Sequence, residues 1–250
     1  MNVLGSTRSN ITSNHALLAP ESFVRSTLPG WNKTEVVILI SPEMGARFIQ
    51  YLALMDIGAI AGPMPAGCER VIFVVEGEVA MHLAHKAGGL LTAGGYAYFP
   101  PDAVASFQAR TPSRLTIFEK RYVPLAGVKP PALRFGQAQD TAGEPFQGDP
   151  DARLQTLLPL EPAFDLAVNL FTFQPGAALP LVEVHVMEHG LLMLEGQGVY
   201  RLGESWYPVR QGDVIWMAPY CPQWFVAMGK GPARYLYYKD VNREPSPSLP

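Results

Sequence analysis

The chain resembles itself at a spacing of about 119 residues, and that repeat limits the folds open to it. The stretch "VIFVVEGEVAMHL" (71–83) is echoed by "LLMLEGQGVYRL" (191–202), with Glu76-Gly77 and Glu195-Gly196 119 residues apart. "TAGGYAYFPPDAVASF" (92–107) is echoed by "RQGDVIWMAPYCPQWF" (210–225), with Pro101 and Pro219 118 apart, so one gap is needed. "RLTIFEKRY" (114–122) is echoed by "RYLYYKDV" (234–241), with Lys120 and Lys239 again 119 apart. A period this long means two copies of one domain, not a solenoid of short units. Within each copy, alternating apolar runs of about five to eight residues are separated by Gly/Pro turns, which is an all-β pattern. The 23 glycines and 24 prolines are scattered, favouring many turns over long helices. A strand running to a Glu-Gly turn, a return strand and a later Gly-opened hairpin together suit a double-sheet jelly roll whose interior holds a small ligand.

The copies are placed at 45–122 and 165–241. Residues 123–164 between them include "PLAGVKPPALRFGQAQDTAGEPFQGDPD" (124–151), which has no sustained period and is expected to be a surface loop. Residues 1–44 form an extension whose "TEVVILISP" (34–42) is a good strand, free to pair with a sheet edge of the other copy or of another subunit. The tail "NREPSPSLP" (242–250) is expected to be mobile.

Charged residues make up only 16% of the chain and the net charge is -3. This gives no reason to expect nucleic acid or an anionic membrane as partner. The first twenty residues lack a basic region followed by an apolar run, so no signal peptide is expected. No apolar stretch is long enough to span a bilayer. The cysteines, Cys68 and Cys221, lie far apart, and a cytoplasmic protein with free thiols is the simplest reading.

The chemistry gathers in "LVEVHVMEHG" (181–190). Strand alternation puts Glu183 and His185 on one face and Val182, Val184 and Val186 on the other. His189 lies four residues beyond His185, across a bend that lets it fold back. Two imidazoles and a carboxylate without a thiolate suit Mn²⁺, Fe²⁺ or Zn²⁺ better than a soft-metal site.

This segment resembles the first motif of the cupin family, G-x5-H-x-H-x3-E-x6-G. Here Gly176 is followed by six residues and then Glu183-x-His185-x3-His189-x6-Gly196. The frame is kept with one extra residue, but Glu replaces the first His and His replaces the usual Glu. In the second motif, Gly212-x5-Ala218 stands for G-x5-P, Pro219 is shifted by one, and Gln223 falls on the usual His position. A bicupin with Glu183, His185, His189 and Gln223 in its C-terminal half resembles the (S)-ureidoglycine aminohydrolase family. That resemblance spans nearly the whole chain. It implies tandem double-stranded β-helix domains and hydrolysis of ureidoglycine to ureidoglycolate and ammonia in allantoin breakdown. It also implies bound Mn²⁺, or another divalent ion, held by those four residues, and a homo-oligomer.

Read from the period alone, Tyr235, Tyr237 and Lys239 share one face of "RYLYYKD", and Lys239 is a strand-end lysine at the rim. The resemblance instead makes Lys239 catalytic, and brings the hydroxyls of Tyr200 and Tyr235 to the substrate. Both tyrosines also read as ordinary core aromatics. Cys221 reads as a buried structural thiol, and His15, His82 and His85 have no ligand-like company. Glu188, in strand phase, points away from the site. In the first copy the four ligand positions fall on Met64, Ala66, Arg70 and approximately Ala105, so that half is expected to be metal-free. Its Lys120 matches Lys239 in position with no site to serve. Two rival functions use the same frame: a redox-metal bicupin dioxygenase and a non-catalytic small-molecule-binding cupin.

Overall fold

The structure, a computed structural model, describes residues 6–83 and 86–243. In chain order the strands are β1 (Asn10–Ile11), β2 (His15–Leu18), β3 (Thr34–Ile40), β4 (Ile49–Met55), β5 (Cys68–Glu76), β6 (Val79–Leu83) and β7 (Lys86–Leu91). Then come β8 (Gly95–Phe99), β9 (Ala105–Ala109), β10 (Ser113–Arg121), β11 (Arg134–Gln137), β12 (Glu144–Phe146) and β13 (Asp149–Thr156). The last are β14 (Leu166–Phe173), β15 (His189–Glu195), β16 (Gln197–Leu202), β17 (Ser205–Arg210), β18 (Val214–Met217), β19 (Gln223–Ala227) and β20 (Ala233–Asp240). No helix among the described residues is long and apolar enough to cross a membrane. The chain is all-β and divides into an N-terminal unit, Phe23–Ala142, and a C-terminal unit that combines the residues up to Ser22 with those from Gly143 onward.

Each unit is a jelly roll of a large and a small antiparallel sheet. In the N-terminal unit the large sheet runs β11-β8-β5-β10-β4-β3 and the small one β7-β6-β9. In the C-terminal unit the order β2-β18-β15-β20-β14-β13 repeats that pattern, extended by β1 and β12 at its edges, with β17-β16-β19 as the small sheet. Period-two alternation drives the assembly: Leu115 and Ile117 of β10 join Val36, Tyr51, Ile72, Val74 and Phe107 in one core. Phe171, Phe173, Tyr200, Phe225 and Tyr235 form the aromatic centre of the other. The Glu-Gly pairs of the repeat are hairpin turns with positive φ, 86° at Gly77 and 73° at Gly196. A Cβ at either would collide with backbone, Pro112 O in one copy and Pro232 O in the other, so only glycine fits.

Three expectations about organisation are corrected. The strand of 34–42 does not pair with the other copy; β3 pairs with β4, the next strand of its own unit, and lies at the edge of that sheet. The beginning of the extension belongs instead to the C-terminal unit, where β2 adds to the edge of β18. Residues 123–164 are not a surface loop: β11 pairs with β8, and β12 and β13 extend the sheet from β14. These strands end sheets, and their short or Pro/Gly-interrupted runs carry too little alternation to be read alone. At the tail, Asn242 donates to the carbonyls of Glu161 and Phe164, and Arg243 to that of Pro162; 244–250 lie outside the described residues.

The first segment is strapped down by charge. The Arg8 guanidinium bonds both carboxylate oxygens of Asp213, at 2.7 and 2.6 Å, and Asp213 is wholly buried. Removing one partner strands the other charge away from water. Arg8→Ala is therefore expected to lower unfolding stability by about 3 kcal/mol, read from the urea midpoint. Arg8→Lys recovers only part, because an ammonium cannot make the two-pronged contact. An unchanged midpoint in Arg8→Ala would show the strap to be decorative.

In the N-terminal unit the position of the second motif histidine is held by Arg70, 5% exposed. Its Nε donates to Glu119 at 2.5 Å, its other nitrogens to the carbonyls of Gly62 and Pro63, and its guanidinium lies over the Trp31 ring. The Tyr51 hydroxyl donates to the same Glu119 carboxylate. The register corrects the pairing of lysines. His189 lies opposite Lys239, whereas Arg70 lies opposite Glu119, and Lys120 lies opposite Glu69. Glu119, not Lys120, is the counterpart of Lys239. Glu119→Ala leaves a buried guanidinium unpaired and is expected to cost about 3–5 kcal/mol. The double change Arg70→Met with Glu119→Leu, which removes both charges, is expected to lie within about 1 kcal/mol of wild type. Equal losses in the two variants, by chemical denaturation, would refute the ion-pair account.

Candidate metal centre and substrate cavity

The register of the large C-terminal sheet stacks inward side chains in rungs. Ala167, Lys239, His189 and Met217 share the first. Asn169, Tyr237 and Leu191 share the second, and Phe171, Tyr235 and Met193 the third. Ala167 is small, which leaves the long Lys239 side chain its room at the mouth. Opposite these strands, the 181–188 segment crosses as irregular backbone. Here the sequence reading is corrected: only a bridge forms, with Glu183 N–H on Gln223 O at 2.8 Å and Gln223 N–H on Glu183 O at 3.0 Å. The alternation survives without a strand, for Val182 and Val184 are exposed while Glu183 and His185 turn inward. The turn carrying Tyr220 donates its N–H to His185 O at 2.7 Å, and Asn14 O holds Ala218 N–H at 3.0 Å. The N-terminal strap thus braces the turn that fixes His185 and leads into Gln223.

All seven residues singled out from sequence, Glu183, His185, His189, Tyr200, Gln223, Tyr235 and Lys239, line one cavity of ≈ 230 Å³. His185 Nε2 lies 3.1 Å from His189 Nε2 and 2.8 Å from the Gln223 Nε2 amide nitrogen. His185 Nδ1 is 3.2 Å from Met187 O, and His189 Nδ1 is 3.3 Å from Tyr238 O. A carbonyl can only accept, so the tautomer with the hydrogen on Nδ1 satisfies both contacts and turns each Nε2 lone pair into the cavity, that of His185 towards the Gln223 amide nitrogen. In that tautomer the two Nε2 atoms, 3.1 Å apart, are best satisfied by one cation that takes both lone pairs. That is the arrangement of metal-binding histidines, whose other ring nitrogen donates to a backbone carbonyl.

The electrostatics agree with a set of neutral donors. Burial, with His185 and Lys239 nearby, pulls His189 down to about 3, so it is an unprotonated donor at neutral pH. Burial pushes the Glu183 carboxyl up, opposed by His185 and Lys239. Burial likewise lowers the Lys239 ammonium, opposed by Glu183 and Asp240. Tyr200, Tyr235 and Tyr237 are all pushed above the ordinary tyrosine value by burial and stay protonated. Among the described residues, no three His, Cys, Asp or Glu side chains close on one point. Glu183 faces the cavity without closing with the two imidazoles.

The plain alternatives hold for the other candidates. His15 is buried against the Tyr207 hydroxyl, 2.8 Å from Nε2, and does not line the cavity. His82 belongs to the N-terminal unit, where it lines a pocket with residues of that unit, and His85 lies outside the described residues. Cys221 is buried with its thiol directed at Pro222 O. Glu188 is outside the cavity and accepts from Trp216 Nε1 at 3.4 Å. The sequence reading put Tyr237 on the right face but assigned it no role. It missed Phe146 and Leu154, which line the cavity from β12 and β13. Nothing in their local pattern marks them, because the segment reads as a loop.

The cupin domain model matches residues 169–238, from the second rung to within β20. An (S)-ureidoglycine aminohydrolase from Arabidopsis thaliana is 46% identical over 246 residues, covering 96% of this chain and 80% of the relative. One from Escherichia coli (strain K12) is 36% identical over 237 residues, covering 92% and 90%. Among solved structures, the protein Ylba from E. coli superposes with a TM-score of 0.86 at 32% identity, covering 97% of this chain and 98% of that one. Likeness at this level along both copies carries more than the fold, and the chain belongs to the (S)-ureidoglycine aminohydrolase family of bicupins.

Proposed function

We propose that the protein hydrolyses (S)-ureidoglycine to (S)-ureidoglycolate and ammonia, using a divalent ion, Mn²⁺, in the C-terminal cavity. The observation that carries this reading is the facing pair of His185 and His189 Nε2 atoms, with the Gln223 carboxamide beside them and Lys239 on the same rung as His189. His185, His189 and Gln223 would hold the ion, with Glu183 as a fourth, hard ligand from the same cavity wall. The Cys221 thiol is turned away to Pro222 O, so the donor set is N/O only, which suits Mn²⁺ better than a soft metal. Bound there, the ion supplies Lewis acidity and a fixed orientation for the substrate. The N-terminal unit, with Arg70 and Glu119 at the equivalent rung, offers no such donor set and serves as scaffold. We place the enzyme in the cytoplasm as a homo-oligomer acting on a small molecule, with no nucleic acid or membrane as partner.

The chain's own groups account for the proton traffic. Ureidoglycine carries an amine, a ureido nitrogen, a hydrogen and a carboxylate on one carbon. Lys239 gives a proton to the amine, the C–N bond breaks, and ammonia departs, leaving an N-acyliminium ion that keeps its ureido N–H. Water adds to that carbon and returns its proton to Lys239, giving ureidoglycolate with the balance closed. A lysine whose ammonium is destabilised by burial gives up its proton more readily than a solvated one. The apolar wall of Phe146, Leu154, Phe171 and Leu179 limits bulk water around the step. The deciding experiment is metal analysis of the purified protein followed by an ammonia-release assay on freshly generated ureidoglycine. Absence of release with Mn²⁺ bound would sink the function, and substrate-dependent oxygen uptake would point to a dioxygenase instead.

A further inference from the structure

One side of the cavity offers a ligand no hydrogen bond. The sheet order places β20, with Tyr235, Tyr237 and Lys239, between β15, with His189, and the run β14-β13-β12. His185 stands 3.1 Å from His189 and 2.8 Å from Gln223, so these candidate ligands gather on the β15 side. To the lining, β14, β13 and β12 contribute only Phe171, Leu154 and Phe146, whose side chains have neither donor nor acceptor. Phe171 is locked into the core, its ring centre 4.2 Å from that of Phe173 and 5.7 Å from that of Tyr235. Phe146 ends the wall. It is half-buried, its ring stands edge-on to Phe171 at 4.9 Å, and β12 is the last strand of the sheet.

We infer that Phe146, with Leu154 beside it, restricts the enzyme to substrates whose reacting carbon carries a hydrogen, by filling the side of the cavity on which that hydrogen lies. The inference rests on the function proposed above and extends it to which substrates are admitted. Of the four groups on that carbon, the amine, the ureido group and the carboxylate are polar. Set against Phe146 and Leu154, any of the three would lose its water and find no partner, which is costly. The hydrogen loses nothing there. The wall therefore takes the hydrogen, and the polar groups turn to Lys239, the tyrosines and the ion. Handedness follows, because exchanging the hydrogen with a polar group sets that group against the rings. A carbon substituent in place of the hydrogen suits the wall chemically but collides with it, since packed side chains yield little to an added methyl group. Phe171 cannot be cut back without opening the aromatic core. Phe146, at the sheet edge, packs against that core from outside, so it is the residue at which the wall can be moved.

The test uses three stable N-carbamoyl amino acids, bound to the Mn²⁺-loaded protein and followed by calorimetry. N-carbamoylglycine keeps the carboxylate and ureido group and has hydrogen at both remaining positions. In N-carbamoyl-L-alanine the methyl group takes the place of the hydrogen of (S)-ureidoglycine; in the D enantiomer it takes the place of the amine. Wild type is expected to bind the L compound at least about tenfold more weakly than the glycine compound, the lower end of the range for one added methyl group in a closed pocket. Phe146→Ala is expected to recover most of that factor for the L compound and none of any deficit of the D compound, whose methyl group points away from the wall. Phe146→Leu, a milder change, is expected to recover part of it and decides the matter should Phe146→Ala fail to fold. Equal binding of the L and glycine compounds by wild type, or an unchanged ratio in the variants, overturns the role of Phe146 while ammonia release from ureidoglycine stands. Failure of N-carbamoylglycine to bind wild type overturns the seating of the polar groups, and this inference with it. A wild type that releases no ammonia overturns the aminohydrolase itself.

Discussion

His185→Ala is expected to purify as a folded protein that holds no divalent ion, releases no ammonia, and shows no rise in melting temperature when Mn²⁺ is added. In the metal-free state the two imidazoles bring their Nε2 atoms to 3.1 Å, and with both hydrogens on Nδ1 their lone pairs repel, which works against folding. Removing the His185 ring relieves that repulsion, so the metal-free variant should melt no lower than the metal-free wild type. The wild type, by contrast, gains from mass action: an ion at a hundred times its Kd stabilises the folded state by about 2.7 kcal/mol. Changes in groups that merely orient a metal ligand already weaken affinity 10–100-fold, roughly, so loss of a ligand itself should exceed about a hundredfold. Metal content after gel filtration and paired melting curves with and without Mn²⁺ check both halves. A variant that keeps its metal and its shift in melting temperature would remove His185 from the ligand set, and the reading of the cavity with it.

That His185 could be chosen from sequence shows which features are legible there. Three of the four candidate ligand positions, Glu183, His185 and His189, sit in one short segment, and their spacing is held by backbone geometry even where no regular strand forms. Tyr235 and Lys239 were placed on a common face by period two, and the register bears this out. Legibility failed where partners are remote or where an insertion shifts the frame. β2 is only "HALL", too short to show a period, and its partner β18 lies about two hundred residues away. Phe146 and Leu154 enter the cavity from a stretch whose prolines and glycines hide its strands. The misassigned lysine has a sharper cause. Arg114 pairs with Glu76 and Arg234 with Glu195, so β10 and β20 correspond at a spacing of 120, not 119. Matching the lysines at 119 moved each of them by one position, and one position in a strand reverses the face. The Arg70–Glu119 pair in the N-terminal unit disappeared from view for that reason alone.

Lys239→Ala is expected to keep its metal and its fold yet lose about 10²–10⁴-fold in kcat, the range for removing a positioned general acid–base. Its place supports the separation: Lys239 is on the rung of His189 but on a different strand, opposite the small Ala167. Truncation there leaves His185, His189 and Gln223 untouched, so metal analysis should read as wild type. Two roles remain to be told apart, since a lysine could act through its charge or through its proton. Lys239→Arg resolves them. A guanidinium keeps the positive charge beside Glu183 but does not give up its proton in a protein. If the ammonium moves protons, Lys239→Arg should be nearly as slow as Lys239→Ala. If charge alone matters, it should recover most of the rate. Wild-type ammonia release by Lys239→Ala would exclude the lysine from the chemistry, and the leaving amine would then have to take its proton from another group in the cavity.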